Sequence, residues 1–103
     1  MQVHELKTWP TAFEALRDGD KRADFRPNDR QFHIGDVLLL EEYVPEGVED
    51  EWAGDGVLGY TGQILLMQIT HIELGGKFDI PDGFVVLSVV PIRLEVVPHE
   101  EAR

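Results

Sequence analysis

The sequence predicts a mainly β protein of the α+β type: a small β-barrel of about five mostly antiparallel strands, with one helix after the first strand. Three observations support this fold class. Five segments have the length and apolar alternation of strands, and only one, Pro10–Asp18, has a helical period. Within residues 63–74 the apolar positions change from odd to even numbers, which indicates the bulge that a strand needs to bend around a small barrel.

The predicted strands are runs rich in apolar side chains that lie between turn residues. They are residues 3–7, Ala23–Pro27, Val37–Val44, 63–74 and a long last strand from Phe84. In the first strand, His4 and Leu6 share a face. In the second, Phe25 points away from the face of Asp24 and Arg26. One face of the last strand carries Phe84, Val86, Val90, Ile92, Leu94 and Val96.

The helix is predicted from its two ends and its apolar stripe. Pro10 suits the first turn, because the missing N–H of proline costs nothing there. Trp9, Phe13 and Leu16 recur at helical spacing over about two turns. Gly19 is a typical helix terminator, since glycine adopts the left-handed conformation without strain.

Length and composition predict one domain at residues 1–97, followed by a frayed tail at 98–103. The chain has no cysteine, and its four histidines have no ligand spacing, so we expect neither a metal site nor a cofactor. No apolar run is long enough to cross a bilayer, and the N-terminus lacks a signal-peptide pattern. We therefore expect a cytoplasmic protein.

The charge is unevenly distributed along the chain. The net charge is −11, yet residues 1–30 contain six basic and six acidic side chains and sum to zero. Residues 31–103 therefore carry the whole negative charge and should repel a long polyanion.

The near-neutral part includes an unusual cluster of basic and acidic or amide side chains. Its members are Lys21, Asp24, Arg26, Asn28, Asp29 and Arg30. Cations flanking a carboxylate offer donors for phosphate or carbonyl oxygens and an acceptor for an amine, a combination that can read a nucleobase. Salt-bridged surface charges on a strand have the same pattern, and the pattern alone favours that reading.

A family resemblance adds to this. The stretch HELKTWPTAFEALRDGDKRADFRPNDRQFHIGDVLLLEEY resembles the start of the ASCH domain of the PUA-like superfamily of small β-barrels. Gly19, Lys21 and Arg26 match the ASCH motif G-x-K-x-x-E-x-R, with Asp24 in place of the glutamate. More narrowly, HELK-W, R-x-N-D-R-x-F-x-x-G-D, YTG and GFVVLS resemble the short bacterial and phage family known as domain of unknown function 3850.

The resemblance implies a cleft between the helix and the barrel wall that binds short single-stranded RNA, a nucleotide or a modified nucleoside. The ligand-binding residues that it implies are His4, Lys7, Trp9, Lys21, Asp24, Arg26 and Arg30. Two alternatives remain open. The first is an amidohydrolase of N-acylated cytidine that uses Lys21 and Asp24, although Asp24 stands where the hydrolases have a threonine. The second is a protein-interaction module that acts through the acidic loop at residues 46–55.

Overall fold

Five strands and one short helix make up the part of the fold that the structure describes. The computed structural model describes residues 1–46 and 58–92, and the elements in chain order are β1 (Val3–Thr8), α1 (Pro10–Asp18), β2 (Ala23–Pro27), β3 (Val37–Val44), β4 (Gly59–Leu74) and β5 (Phe84–Pro91). The strands form one sheet that curls into a half-barrel, which confirms the predicted fold class. The predicted tail, positions 94 and 96 and all but the first residue of the acidic loop lie outside the described residues.

The strand order is β1-β3-β4-β5-β2, so β1 and β2 are the two edges of the sheet among the described strands. β1 runs parallel to β3, and the other three strand pairs are antiparallel. Parallel neighbours need a crossover connection, and here the crossover contains both α1 and β2. In the part of the chain that the structure describes, no helix is long and apolar enough to span a membrane.

β4 contains the predicted bulge. Its pairing with β5 shifts register between Ile69 and His71. Before the shift, Met67 and Ile69 point into the core, and after it Ile72 packs against the core instead. The strand thereby changes the parity of its inward face, as the sequence predicts.

The core lies on the concave side of the sheet and is covered by α1. Its buried members are Leu6, Leu16, Leu38, Leu40, Met67, Ile69, Val85, Leu87 and Val89. Phe13 is buried with Leu16, but Trp9 is 49% exposed, so the predicted three-residue stripe is wrong at its first position. Trp9 is the N-cap and has an extended backbone, which directs its side chain off the helical stripe. Gly19 ends α1 in the left-handed conformation, as predicted.

Two strands bury the face that hydropathy does not favour. In β2, Asp24 is buried while Phe25 is 52% exposed and stacks on Phe84 across the strand pair. In β5, the buried residues are Val85, Leu87 and Val89, so the apolar face named from the sequence is the outer one. Both faces of β5 are apolar, and its pairing with β4 rather than its own pattern selects the inner one.

Candidate binding cleft

A cleft of about 340 Å³ lies beside β1, and we refer to it as the β1 cleft. Its walls come from β1, from the end of β2 with the turn that follows, and from the outer face of β3 and β4. The lining residues are Glu5, Leu6, Lys7, Arg26, Pro27, Asp29, Arg30, Glu41 and Tyr60. Three of the residues that the sequence predicts for ligand binding, Lys7, Arg26 and Arg30, therefore meet in one place.

Arg26 joins the two edges of the half-barrel. Its Nε donates a hydrogen bond to the buried carboxylate of Asp24. One terminal nitrogen, NH2, donates to the carbonyl oxygen of Lys7 at 2.9 Å and to the Thr8 hydroxyl at 3.2 Å. Since β1 and β2 are the sheet's edges, this one side chain makes the hydrogen bonds that backbone pairing would make in a closed barrel.

Lys7 contacts aromatic rings rather than a carboxylate. Its Nζ lies 4.4 Å from the ring centroid of Tyr43 and 5.7 Å from that of Tyr60. The two tyrosines pair across β3 and β4 with their ring centroids 5.0 Å apart at 67°, an edge-to-face arrangement. Within residues 1–46 and 58–92, Lys7 takes part in no ion pair. Its ammonium group is thus held in place by the rings while it remains available to an anion.

The remaining charges of the β1 cleft are only loosely engaged. Arg30 lies 3.9 Å from Asp29, and both side chains are well exposed. Glu5 and Glu41 have no ion pair with any described residue. The cleft is therefore lined by three cations and three carboxylates and is electrically balanced in a chain whose net charge is −11.

His4 lies away from the cleft, in a buried hydrogen-bond cluster. Its Nε2 is 2.8 Å from a carboxylate oxygen of Asp36, and its ring packs against Phe32 at 4.8 Å. Asp36 also accepts hydrogen bonds from the backbone N–H groups of Gln2 and His33, each at 3.0 Å. Burial alone would raise the pKa of Asp36, but the bonds from His4, Gln2 and His33 lower that pKa to about 2.

Three other predicted residues do not line the β1 cleft. Asp24 lies behind Arg26, with 5% of its surface exposed, and Trp9 caps the helix with its backbone. Lys21 follows the helix and donates its backbone N–H to Ala15. The resemblance places the cleft against the helix, yet no residue of α1 lines the β1 cleft.

The two N-terminal sequence motifs meet in space. His4, from HELK-W, binds Asp36, the last residue of R-x-N-D-R-x-F-x-x-G-D. Arg26, the first residue of the second motif, binds the carbonyl oxygen of Lys7 in the first. The motifs thus hold together the segments that form the β1 cleft, and His4 contributes through its buried bond to Asp36.

Sequence patterns do not identify Glu5, Glu41 and Tyr60 as cleft residues, or Tyr43 as the residue that packs against Tyr60. The phrase YTG contains Tyr60 and was a usable signal. Glu5, Glu41 and Tyr43 could not be identified from local sequence patterns. Their positions depend on the pairing of β1, β3 and β4, which brings distant parts of the chain onto one outer face. Among the described residues, no group of three His, Cys, Asp or Glu side chains could hold a metal ion.

Comparisons with known proteins identify relatives without a described activity. A family model described as "Domain of unknown function (DUF3850)" matches residues 3–89. The chain is also similar to an "Uncharacterized 12.9 kDa protein in GpA 3'region" of Escherichia phage P2, with 42% identity over 43 residues. That alignment covers 42% of this chain and 39% of the phage protein, so the chain spans about two fifths of the length of the curated relative that it matches.

Proposed function

The chain belongs to the DUF3850 family, and we propose that it is a binding module for a single nucleotide or a short single strand of RNA, with an ordinary or a modified base. The observation that carries the proposal is the convergence of Lys7, Arg26 and Arg30 on one cleft beside the ring of Tyr60. Cationic side chains donate to phosphate oxygens, and exposed aromatic rings stack on bases.

The fold supports the same proposal. A half-barrel with one helix after its first strand has the elements of a PUA-like domain. Gly19, Lys21 and Arg26 match the ASCH motif, and Asp24 supplies its acid. These features support the proposal that the chain is an ASCH domain whose ligand binds beside β1 rather than against the helix.

The balanced charge of the cleft favours a small ligand. Three carboxylates line the cleft beside the three cations, so a polyphosphate or a long backbone would meet as many repulsive as attractive groups. A nucleoside monophosphate carries only one phosphate, together with neutral donors and acceptors that can pair with the carboxylates. The proposal is therefore limited to mononucleotides and short single strands.

Binding is tested by NMR titration with nucleoside monophosphates and trinucleotides. We expect chemical-shift changes at Lys7, Arg30 and Tyr60. Arg30→Gln should weaken binding about tenfold, the usual effect of losing one charge-assisted hydrogen bond. Arg17→Gln is the matched control, because Arg17 has the same exposed guanidinium but lies on the helix and pairs with Glu14. Equal losses in the two variants, or shifts remote from the cleft, would contradict the proposal.

Two further outcomes separate the alternatives. Hydrolysis is disfavoured because Arg26 occupies the carboxylate of Asp24, and Lys21 does not line the cleft. We therefore expect no free cytidine when the protein is incubated with N-acylated cytidine and the products are separated by chromatography. Turnover that is lost in both Lys21→Met and Asp24→Asn would establish the hydrolase instead.

If no nucleotide binds and a captured protein contacts residues 46–55, the interaction module is the better function.

A further inference from the structure

The β1 cleft contains a second group of residues beside its cations. We infer that Tyr60 stacks on the base of the bound nucleotide and that Glu41 accepts a hydrogen bond from an exocyclic amino group of that base. This inference rests on the proposed nucleotide binding. The cleft then prefers bases that carry such a group, such as cytosine, over uracil. Tyr60 and Glu41 would thus determine which base is recognised, which the cationic residues alone do not.

Tyr60 has the exposure and the support that a stacking residue needs. Its side chain is 55% exposed while it lines the cleft. Tyr43 packs against it edge-to-face at 5.0 Å, and the ammonium of Lys7 lies over Tyr43 at 4.4 Å. The ring is therefore positioned in advance, and stacking on a base costs little further ordering. The base of a bound nucleotide would cover the apolar ring surface of Tyr60 that is otherwise exposed.

Glu41 supplies an acceptor in the same cleft. It is half-buried on β3, opposite Lys7 in the pairing of β1 with β3. It forms no hydrogen bond or ion pair with the described residues, although its neighbour Glu42 accepts one from the Thr61 hydroxyl at 2.7 Å. An ionised carboxylate only accepts hydrogen bonds, and it pairs with the N4 amino group of cytosine. Uracil has an oxygen in that position, which a carboxylate repels.

The decisive comparison uses three ligands of the wild-type protein: cytidine monophosphate, uridine monophosphate and ribose 5-phosphate. We expect cytidine monophosphate to bind at least about fivefold more tightly than uridine monophosphate, and ribose 5-phosphate to bind more weakly than either. The ring resonances of Tyr60 should shift upfield with both nucleotides and remain unchanged with ribose 5-phosphate.

Substitutions test which residues cause the preference for cytidine. Glu41→Gln should remove the preference for cytidine, because an amide pairs with either base, whereas Glu14→Gln on the helix should keep it. Tyr60→Leu should weaken both nucleotides about tenfold and leave ribose 5-phosphate unchanged, while Tyr60→Phe should bind as wild type does. Equal affinity for the two nucleotides, or equal affinity for all three ligands, overturns the inference but leaves the proposed function standing. Failure of all three ligands to bind overturns both.

Discussion

Asp36 connects three separate backbone segments through one buried carboxylate. It accepts hydrogen bonds from His4 on β1, from the N–H of Gln2 before β1 and from the N–H of His33 in the connection to β3. Its folded-state pKa of about 2 lies below its ordinary value of 3.8. A lowered pKa means that the folded state stabilises the charged form. The stabilisation is therefore complete above about pH 5 and is lost as the pH falls toward 2.

Asp36→Asn should lower the free energy of unfolding at neutral pH and remove this pH dependence. We expect a loss of at most about 2 kcal/mol at pH 7, which shrinks as the wild type is acidified. Urea unfolding at several pH values between about 2 and 7 measures both quantities. Asp20→Asn, the same change at an exposed position, should leave the wild-type profile intact. Parallel profiles for wild type and Asp36→Asn would show that other groups cause the acid sensitivity.

Arg26→Met tests whether one side chain closes the half-barrel. The change leaves the buried carboxylate of Asp24 without its cation and removes the bonds to Lys7 and Thr8. We expect a loss of about 3 kcal/mol in the free energy of unfolding, typical of breaking a largely buried ion pair. Arg26→Lys should recover little, because an ammonium cannot reproduce the planar fork of donors.

The double variant Asp24→Asn with Arg26→Met separates charge from bridging. It should be more stable than Arg26→Met alone, because no unpaired buried charge remains. Arg17→Met, which removes an exposed ion pair on the helix, should hardly change the unfolding midpoint. If Arg26→Met behaves like Arg17→Met, the edges of the sheet are held together by other means.

At the scale of elements, local patterns predicted most of the fold. The bounds of α1 and β3 and the parity change in β4 agree with the sequence, because capping residues and apolar periodicity are encoded within a few residues. Local patterns did not predict the buried faces of β2 and β5, since pairing between distant strands determines them. The same limit applies to the cleft. The sequence identified Lys7, Arg26 and Arg30 as candidate residues, but the position of Tyr60 in the cleft depends on the register between β3 and β4, which local patterns do not specify.

The connection between β4 and β5 depends on a glycine without room for a side chain. A Cβ at Gly75 would lie 2.1 Å from the carbonyl oxygen of Pro81 and 2.8 Å from that of Phe84. Both atoms belong to the backbone, so Gly75→Ala must open the turn. We expect the free energy of unfolding, measured by chemical denaturation, to fall by about 3 kcal/mol.

In the same connection, Gly83 has a φ of 83° and open space around it. Gly83→Ala should therefore cost only about 1 kcal/mol, from backbone strain. Equal losses would contradict a steric cause.

At the scale of the whole molecule, the charge of the cleft differs from that of the chain as a whole. The net charge is −11, while the described lining of the β1 cleft sums to zero. Under the proposed function, a nucleotide would be repelled by the acidic part of the chain and would meet hydrogen-bond donors in the charge-balanced cleft. The proposed function therefore implies that the acidity of the chain limits binding to ligands that fit within the cleft.

This distribution predicts a weak dependence of binding on salt and no gain with ligand length. Each phosphate neutralised on a single strand contributes a slope of about −0.7 to log K against log salt. The cations that line the cleft are Lys7, Arg26 and Arg30, and Arg26 is already paired with Asp24. With three carboxylates opposing them, a trinucleotide should give a slope no steeper than about −1. Isothermal titration at several salt concentrations measures it, and a duplex of about 20 base pairs should not bind detectably at physiological salt. A slope of about −3 or steeper, or tighter binding to longer strands, would require an extended cationic track. The binding surface would then reach beyond the β1 cleft, and the proposed ligand class would have to change to long RNA.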